Sequence, residues 1–178
     1  MFLCYNLHVG EKFMGIFNIF KRSKETDYLI IKQKLQTLFK IEPKFTNFGN
    51  DSGHGDCVGL YPENVFEKVQ VGYRVNETGT KIKQWIGDGY FIVGDYNGLG
   101  DPLIVDVNNS SLPIYAIMHD DWKTLELVAN SVEDFSKIIA LINNTNVNDE
   151  NQRLNLKKQI FNIVKTEFWN NQIDNSVK

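Results

Sequence analysis

A turn rich in glycine and aspartate, flanked by two short apolar runs, constrains the fold of this chain more than any other feature. The flanking runs are Tyr90–Val93 and Leu103–Val107. Glycine, asparagine and aspartate tolerate positive φ angles and hydrogen-bond the local backbone, so they favour a tight reversal of the chain. The pattern predicts a β-hairpin whose tip is shaped by Gly94, Gly98, Gly100 and Pro102.

Further strand patterns lie on both sides of this hairpin. The stretch Val69–Val75 alternates apolar and polar residues, with the period of two that a half-buried strand requires. A turn with Gly79 at positive φ is expected to join it to a strand over Lys81–Ile86. Successive strands joined by turns favour an antiparallel sheet. Three more segments are candidate strands, at Cys57–Tyr61, Ile114–Met118 and Leu125–Val128, and five or six of the seven candidates are expected to form the sheet.

Three helices are predicted from the spacing of apolar residues. The first covers residues 27–40 and the last covers residues 151–170. Between them, Ser131 and Asp134 form a capping box, which predicts a helix over residues 132–143 with Ser131 as its N-cap. The order is one N-terminal helix, five or six strands in a largely antiparallel sheet, and two C-terminal helices. This order predicts an α+β fold.

The chain has 178 residues, the size of one domain. We predict that this domain spans residues 27–170, between a leader over residues 1–26 and a tail over residues 171–178. Met14 begins a stretch that looks like a natural protein start. Residues 1–13 are therefore interpreted either as an upstream extension or as an unstructured leader.

The bulk composition argues against several classes of partner. The net charge is −3, and only three of the nineteen basic residues are arginine, whereas nucleic-acid binding depends on clustered Lys and Arg. Two cysteines cannot build a disulfide framework, and no apolar run approaches the eighteen or so residues that cross a bilayer. We therefore expect a cytoplasmic protein with neither a nucleic acid nor a membrane as partner.

Negative charge is concentrated in one part of the sequence. Between Gly94 and Asp134 there are eight acidic residues and one basic residue, a balance of 1 − 8 = −7, so the remainder carries −3 + 7 = +4. Such runs are usually only solvated surface, but here aromatic residues are interleaved with the acids, which favours docking of a basic protein partner. The candidate contact residues are Asp95, Tyr96, Asn97, Asp101, Asp120, Asp121 and Trp122.

Two phosphate- or metal-binding loops are near misses at the same turn. A GxGxxG loop beginning at Gly98 would need glycine where Leu103 stands, and no helix follows it. A calcium loop of the EF-hand type beginning at Asp95 would need an oxygen ligand where Leu99 stands. Both hypotheses therefore fail on specific positions.

Catalytic chemistry is poorly supported by the sequence. A metal-dependent hydrolase could be built from two clusters, but neither has a recurring ligand spacing. No serine or cysteine stands in a nucleophile-elbow context. We therefore expect a protein without enzymatic activity or cofactor, and keep the hydrolase as an alternative. Its candidate residues are His54, Asp56, His119 and Asp120.

The segment Tyr90–Ile139 resembles the SMI1/KNR4, or SUKH, superfamily in several ordered pieces. The family pattern has a strand ending in a Gly-Asp turn, a Gly-x-Gly-Asp-Pro-like step into a strand that ends in Asp, a strand followed by a His-Asp or His-Glu pair, and an Ala-x-Ser start to a helix. The first half departs from this pattern, since Leu60-Tyr61-Pro62 is no clear equivalent of the family's Leu-Pro-x-x-Tyr segment. The matching residues are Gly94-Asp95, Gly98–Pro102, Asp106, Ile114-Tyr115, His119-Asp120 and Ala129–Phe135.

The resemblance implies an α+β fold with a central curved sheet. For bacterial members it implies an immunity protein that neutralises a toxin, often a nuclease, while other relatives are intracellular regulatory or scaffold proteins. Aspartates around a rigid hairpin would imitate the phosphates that a nuclease binds. The expected partner is thus a basic toxin domain, with a regulatory or scaffold role as the alternative.

Overall fold

The structure of this protein is a computed structural model that describes residues 22–41, 46–47, 57–97, 100–118 and 120–175. Six strands form one sheet in the order of the sequence, and every neighbouring pair is antiparallel. The predicted α+β class with an antiparallel sheet is confirmed. The strands are β1 (Thr46–Asn47), β2 (Cys57–Leu60), β3 (Tyr90–Tyr96), β4 (Asp101–Asp106), β5 (Ile114–Met118) and β6 (Asp121–Ala129).

The described residues form five α-helices in addition to the sheet. The predicted helix over 132–143 is confirmed, and Ser131 Oγ accepts a hydrogen bond from the backbone N–H of Asp134 at 3.1 Å, as the capping box requires. The first helix begins earlier than predicted, inside the predicted leader, and is interrupted at Leu35. The helices are α1 (Arg22–Lys34), α2 (Gln36–Phe39), α3 (Val132–Asn143), α4 (Glu150–Ile163) and α5 (Phe168–Asn175).

The prediction of one helix over 151–170 is wrong at its C-terminal end. Val164 is extended, with φ −136° and ψ 129°, and its side chain is fully buried. A new helix follows, with Thr166 Oγ1 accepting from the backbone N–H of Phe168 at 3.2 Å. Ile173 of α5 is buried in the main core, so packing continues beyond residue 170. The predicted domain limits otherwise stay a prediction.

The predicted strand Val69–Val75 does not form. The region contains the two short 3-10 helices Glu63–Val65 and Lys68–Gln70 and only isolated bridges, although the turn at Gly79 has the expected positive φ of 75°. The reason is the buried side chain of Gln70, whose Nε2 donates to the Ile92 carbonyl at 2.8 Å and whose Oε1 accepts from the Ile92 N–H at 3.0 Å. A side-chain amide thus occupies the edge of β3 where a strand was expected.

The sheet has two differently packed faces. The helix face carries fully buried residues such as Val93, Leu103 and Val105, which join the helices in the main core. The opposite face, called here the outer face, carries a smaller cluster around Ile92, Ile104 and Ile117. Half-buried residues of the segment 61–86 pack against this cluster. The sheet is therefore covered by helices on one side and by an irregular segment on the other.

Candidate functional site: the acidic end of the sheet

Two hairpin tips lie at the same end of the sheet, because β3 and β5 run in the same direction and each reverses into its antiparallel partner. The first tip is the connection from β3 to β4 with its flanking residues Asp95–Asp101. The second tip is the connection from β5 to β6 with Asp120 and Asp121. The pKa of Tyr96 is raised by burial and further by the carboxylates of Asp101, Glu126 and Asp120, so acids of both tips act on one site. This end of the molecule is called the acidic end.

Asp95 of the first tip is held within the fold. The residue is half-buried, and Tyr61 Oη donates a hydrogen bond to its Oδ2 at 2.9 Å. Burial raises the pKa of Asp95, and the hydrogen bond from Tyr61 opposes part of that rise. Burial and the nearby Asp95 carboxylate both raise the pKa of Tyr61. The carboxylate of Asp95 is therefore hydrogen-bonded within the protein.

Asp101 is still more enclosed, with 6% of its surface exposed. Asn97 Nδ2 donates to Asp101 Oδ2 at 2.5 Å across the turn. Asn97 has a φ of 59°, the left-handed conformation that asparagine tolerates better than most residues. The side chains of Asn97 and Asp101 are thus hydrogen-bonded to each other across the first tip, and the charge of Asp101 lies within the fold.

Two glycines of the first tip have specific geometric roles. A Cβ atom at Gly94 would lie 2.0 Å from the carbonyl oxygen of Gly59, because β2 and β3 approach closely there. Gly100 has a φ of +87°, and its carbonyl oxygen accepts a hydrogen bond from Tyr73 Oη at 2.6 Å. Pro102 pairs with Asp95 in the β3–β4 ladder. Gly98, also predicted to shape the turn, lies outside the described residues.

The second tip presents its acids to solvent. Asp120 is exposed, and the carboxyl group of Asp121 lies at the surface. The Asp121 carboxylate accepts from Thr124 Oγ1 at 2.7 Å and from the backbone N–H of Lys123 at 3.1 Å, and these bonds lower its pKa. Glu126, further along β6, is also exposed. Fixed negative charge therefore faces outward here.

The predicted aromatic contacts are divided between the core and the surface. Tyr96 is 7% exposed and packs edge-on against Phe168 at 5.4 Å, so its ring lies in the core and offers almost no surface to a partner. The cause is a register shift between Ile92 and Gly94, which moves Tyr96 from the face of Ile92 to the helix face. Trp122 is half-buried and remains on the outer face. Only one of the two aromatics is therefore available to a partner.

The seven predicted contact residues thus meet at one end of the sheet but differ in accessibility. Tyr96 and Asp101 are buried, so their side chains offer little surface to a partner. Asp95 and Asn97 are half-buried and hydrogen-bonded within the fold. Asp120, Asp121 and Trp122 remain as candidate contacts.

Residues that the sequence did not single out complete this surface. Tyr73 and Trp85 pack edge-on against Trp122, with ring centroids 5.8 Å and 5.6 Å away. Glu126 adds a carboxylate beside the second tip. Tyr73 stood in a strand that does not form, so its sequence pattern gave no signal of this role.

Within the described ranges, no group of three or more His, Cys, Asp or Glu side chains could hold a metal ion. Three of the residues of the hydrolase alternative, His54, Asp56 and His119, lie outside those ranges.

No helix in the described part of the chain is long and apolar enough to span a membrane.

Comparison of the chain with models of known protein families, with curated proteins and with solved structures found no match. The resemblance to the SMI1/KNR4 superfamily therefore stays a hypothesis that depends on the motif residues alone.

Proposed function

We propose that this chain is a non-catalytic binding protein whose acidic end docks a basic protein partner. The observation that carries the proposal is the second tip, where Asp120 is exposed and the carboxylate of Asp121 is fixed at the surface. Lys123 is the only basic residue between Gly94 and Asp134. A concentrated negative field of this kind raises the rate of association with a positively charged surface and selects against acidic partners.

The carboxylate of Asp121 is preorganised for this task. Asp121 is held by two hydrogen bonds from its own strand, so its charge does not need to be positioned when a partner arrives. Its lowered pKa keeps it ionised well into acidic solution. The position and the charge of this group are both properties of the free protein.

We propose further that the partner is a toxin domain and that the chain is an immunity protein, and a nuclease is the toxin class that an acidic surface fits. A nuclease surface is basic because it binds phosphates, and outward-facing carboxylates imitate the negative charge of those phosphates. The SUKH-like motif residues support the same class of partner. A regulatory or scaffold protein of the same superfamily would use the same surface with a different basic partner.

The proposal is tested with the product of the gene next to the one that encodes this chain. If that product contains a toxin domain, co-expression of this chain with it should protect cells from the toxin, and the two purified proteins should form a stable complex. The variant Asp120→Asn/Asp121→Asn should weaken that complex roughly tenfold at low salt, since rim charges act mainly on association. Absence of both binding and protection would refute the immunity hypothesis.

A matched control is available at the opposite end of the sheet. Asp88 precedes β3 and Asp106 ends β4, so Asp88→Asn/Asp106→Asn changes the net charge by the same two units at the far end. This control should bind the toxin domain within about twofold of the unaltered protein, because exposed charges separated by more than about 10 Å are largely screened. Equal weakening by both double variants would show that net charge, and not the acidic end, governs binding.

A further inference from the structure

Three aromatic side chains meet on the outer face beside the second tip. Trp122 packs against Tyr73 at an interplanar angle of 67° and against Trp85 at 65°. All three are half-buried, and they border the small cluster built on Ile92, Ile104 and Ile117. Because the rings meet edge to face, their faces are not stacked on one another. These three residues are called the aromatic patch.

The aromatic patch is joined directly to both hairpin tips. Trp122 follows Asp121 in β6, and the Tyr73 hydroxyl donates to the Gly100 carbonyl at 2.6 Å. Burial raises the pKa of Tyr73, and the carboxylates of Asp95 and Asp101 raise it further, so negative charge lies close to the rings. Aromatic faces also carry negative electrostatic potential. The surroundings of the patch therefore favour a cation.

Nearby cations of the chain are placed elsewhere. Arg74 lies over the ring of Phe91 at 3.7 Å, and its Nη2 donates to the Asp88 carbonyl at 2.9 Å. Lys81 pairs with the Asp88 carboxylate at 2.5 Å. Lys123, the neighbour of Trp122 in sequence, is exposed. Among the residues that the structure describes, the recorded cation–ring contacts involve Phe91 and Phe161, not the aromatic patch.

We infer that the aromatic patch receives an arginine side chain of the basic partner, an inference that rests on the proposed function and specifies its chemistry. A planar guanidinium stacks on an indole ring while its N–H groups donate to a carboxylate, and the surface carboxylate of Asp121 belongs to the residue that precedes Trp122 in β6. Lysine has a compact ammonium and cannot combine the two contacts in the same way. Trp122 would supply the ring and Asp121 the adjacent carboxylate.

The chain contains its own spectroscopic control, because its three tryptophans lie in two environments. Trp85 and Trp122 belong to the patch, whereas Trp169 is 1% exposed and donates its Nε1–H to the Val128 carbonyl at 2.8 Å. The indole N–H resonances are followed by NMR while hexa-arginine, hexalysine or hexacitrulline is added. Hexa-arginine should shift the resonances of Trp85 and Trp122 and leave that of Trp169 in place.

Each probe has a defined consequence. Hexacitrulline, which has the shape of arginine without its charge, should cause no shift, and hexalysine a clearly smaller one. Equal responses to hexalysine would overturn the assignment to arginine. A response to hexacitrulline as large as that to hexa-arginine, or no response of either patch resonance, would overturn the cation site itself.

Variants separate the patch from the charge of the acidic end. Trp122→Leu should lower the affinity for hexa-arginine roughly three- to tenfold, while Trp122→Phe, which keeps an aromatic face, should retain most of it. Tyr90→Leu is the matched control, since Tyr90 is a half-buried aromatic on the same face near the opposite end and packs against Tyr115 at 6.4 Å. Thermal unfolding verifies that each variant folds, and Trp85→Leu replaces Trp122→Leu if the latter does not.

The same variants in the toxin-binding assay distinguish the two proposals. If Asp120→Asn/Asp121→Asn weakens the complex and Trp122→Leu does not, the acidic-end proposal stands and the arginine site is overturned. If Trp122→Leu weakens the complex and Trp122→Phe binds nearly as well as the unaltered protein, the toxin-binding proposal and the arginine site are both supported. If no toxin domain binds while the patch resonances respond to hexa-arginine alone, the arginine site stands and the immunity hypothesis falls.

Discussion

The two hairpin tips share one end of the sheet and a similar content of acids, yet they use their carboxylates in opposite ways. In the first tip, Asp95 accepts from Tyr61 and Asp101 accepts from Asn97, and both acids are turned into the fold. In the second tip, Asp120 is exposed and Asp121 is fixed by bonds from its own strand while its carboxylate faces water. An acidic stretch of sequence is therefore not equivalent to an acidic surface.

The largest expected contrast between the tips is in stability. Asp101→Ala removes the acceptor of the Asn97 amide from a buried position and should cost about 2–3 kcal/mol of unfolding free energy, whereas Asp120→Ala at an exposed position should change it by less than about 0.5 kcal/mol. Urea denaturation followed by circular dichroism measures both. Similar costs for the two variants would remove the distinction between a structural and a surface tip.

A smaller effect is expected from the backbone of the first tip. Gly100→Ala should cost about 1–2 kcal/mol, because alanine is strained at a φ of +87°, while its Cβ would come into ordinary contact with the Tyr73 hydroxyl at 3.4 Å. Gly72→Ala is the matched control, with a φ of +91° and no atom within 4 Å of the added Cβ. Thermal unfolding of both variants isolates the contribution of the Tyr73 contact. If Gly72→Ala lowers the unfolding free energy as much as Gly100→Ala does, the contact between the added Cβ and the Tyr73 hydroxyl contributes nothing to the loss.

The smallest expected effect is on the pH dependence of the unfolding free energy. The contributions of Asp95 in the first tip and Asp121 in the second should have opposite signs. Burial raises the pKa of Asp95 in the folded state, so this group adds stability as the pH falls through that folded pKa. Hydrogen bonds from Thr124 and Lys123 lower the pKa of Asp121, so its contribution is present above its ordinary pKa and is lost as the pH falls toward the folded value.

Carboxyl resonances followed by NMR across the acidic range measure these two titrations directly. Asp95 should titrate above the ordinary range of aspartate and Asp121 below it. In unfolding experiments, Asp95→Asn should remove the gain in stability on the acid side. Titration of Asp95 below Asp121 would contradict the assignment of the two environments.

Elements with strong local signals were predicted well from the sequence. The helix that follows Ser131 begins and ends at the expected residues because its capping box is a local feature. Strand β5 also has its predicted bounds, since turn-forming residues precede it. The hairpin with its tip after Asp95 forms at the expected place, although β3 continues into the predicted turn as far as Tyr96.

The failures came from contacts between residues distant in sequence. Alternation at Val69–Val75 resembled a strand, but the segment packs on the outer face and uses the Gln70 side chain to bond Ile92. The break at Val164 depends on burial in a core that the helical pattern does not reveal. Such outcomes are typical where tertiary packing overrides local propensity.

The clustering of acids in the sequence predicted that the candidate residues lie together, and they do meet at one end of the sheet, but the sequence did not predict which of them are buried. The burial of Tyr96 follows from a register shift inside β3, and that of Asp101 follows from its place opposite Tyr96 in the ladder. Tyr73 and Trp85 reach Trp122 only through the path of the segment 61–86 over the outer face. Neither effect has a local sequence signature.

We propose that the second tip contacts the partner and that the acids of the first tip do not. The most direct measurement compares Asp95→Asn with Asp121→Asn, each of which removes one charge, in binding to the neighbouring toxin domain by calorimetry at low and at high salt. We expect Asp121→Asn to weaken binding several-fold at low salt, and Asp95→Asn to bind within about twofold of the unaltered protein. A larger loss with Asp95→Asn than with Asp121→Asn would contradict this proposal.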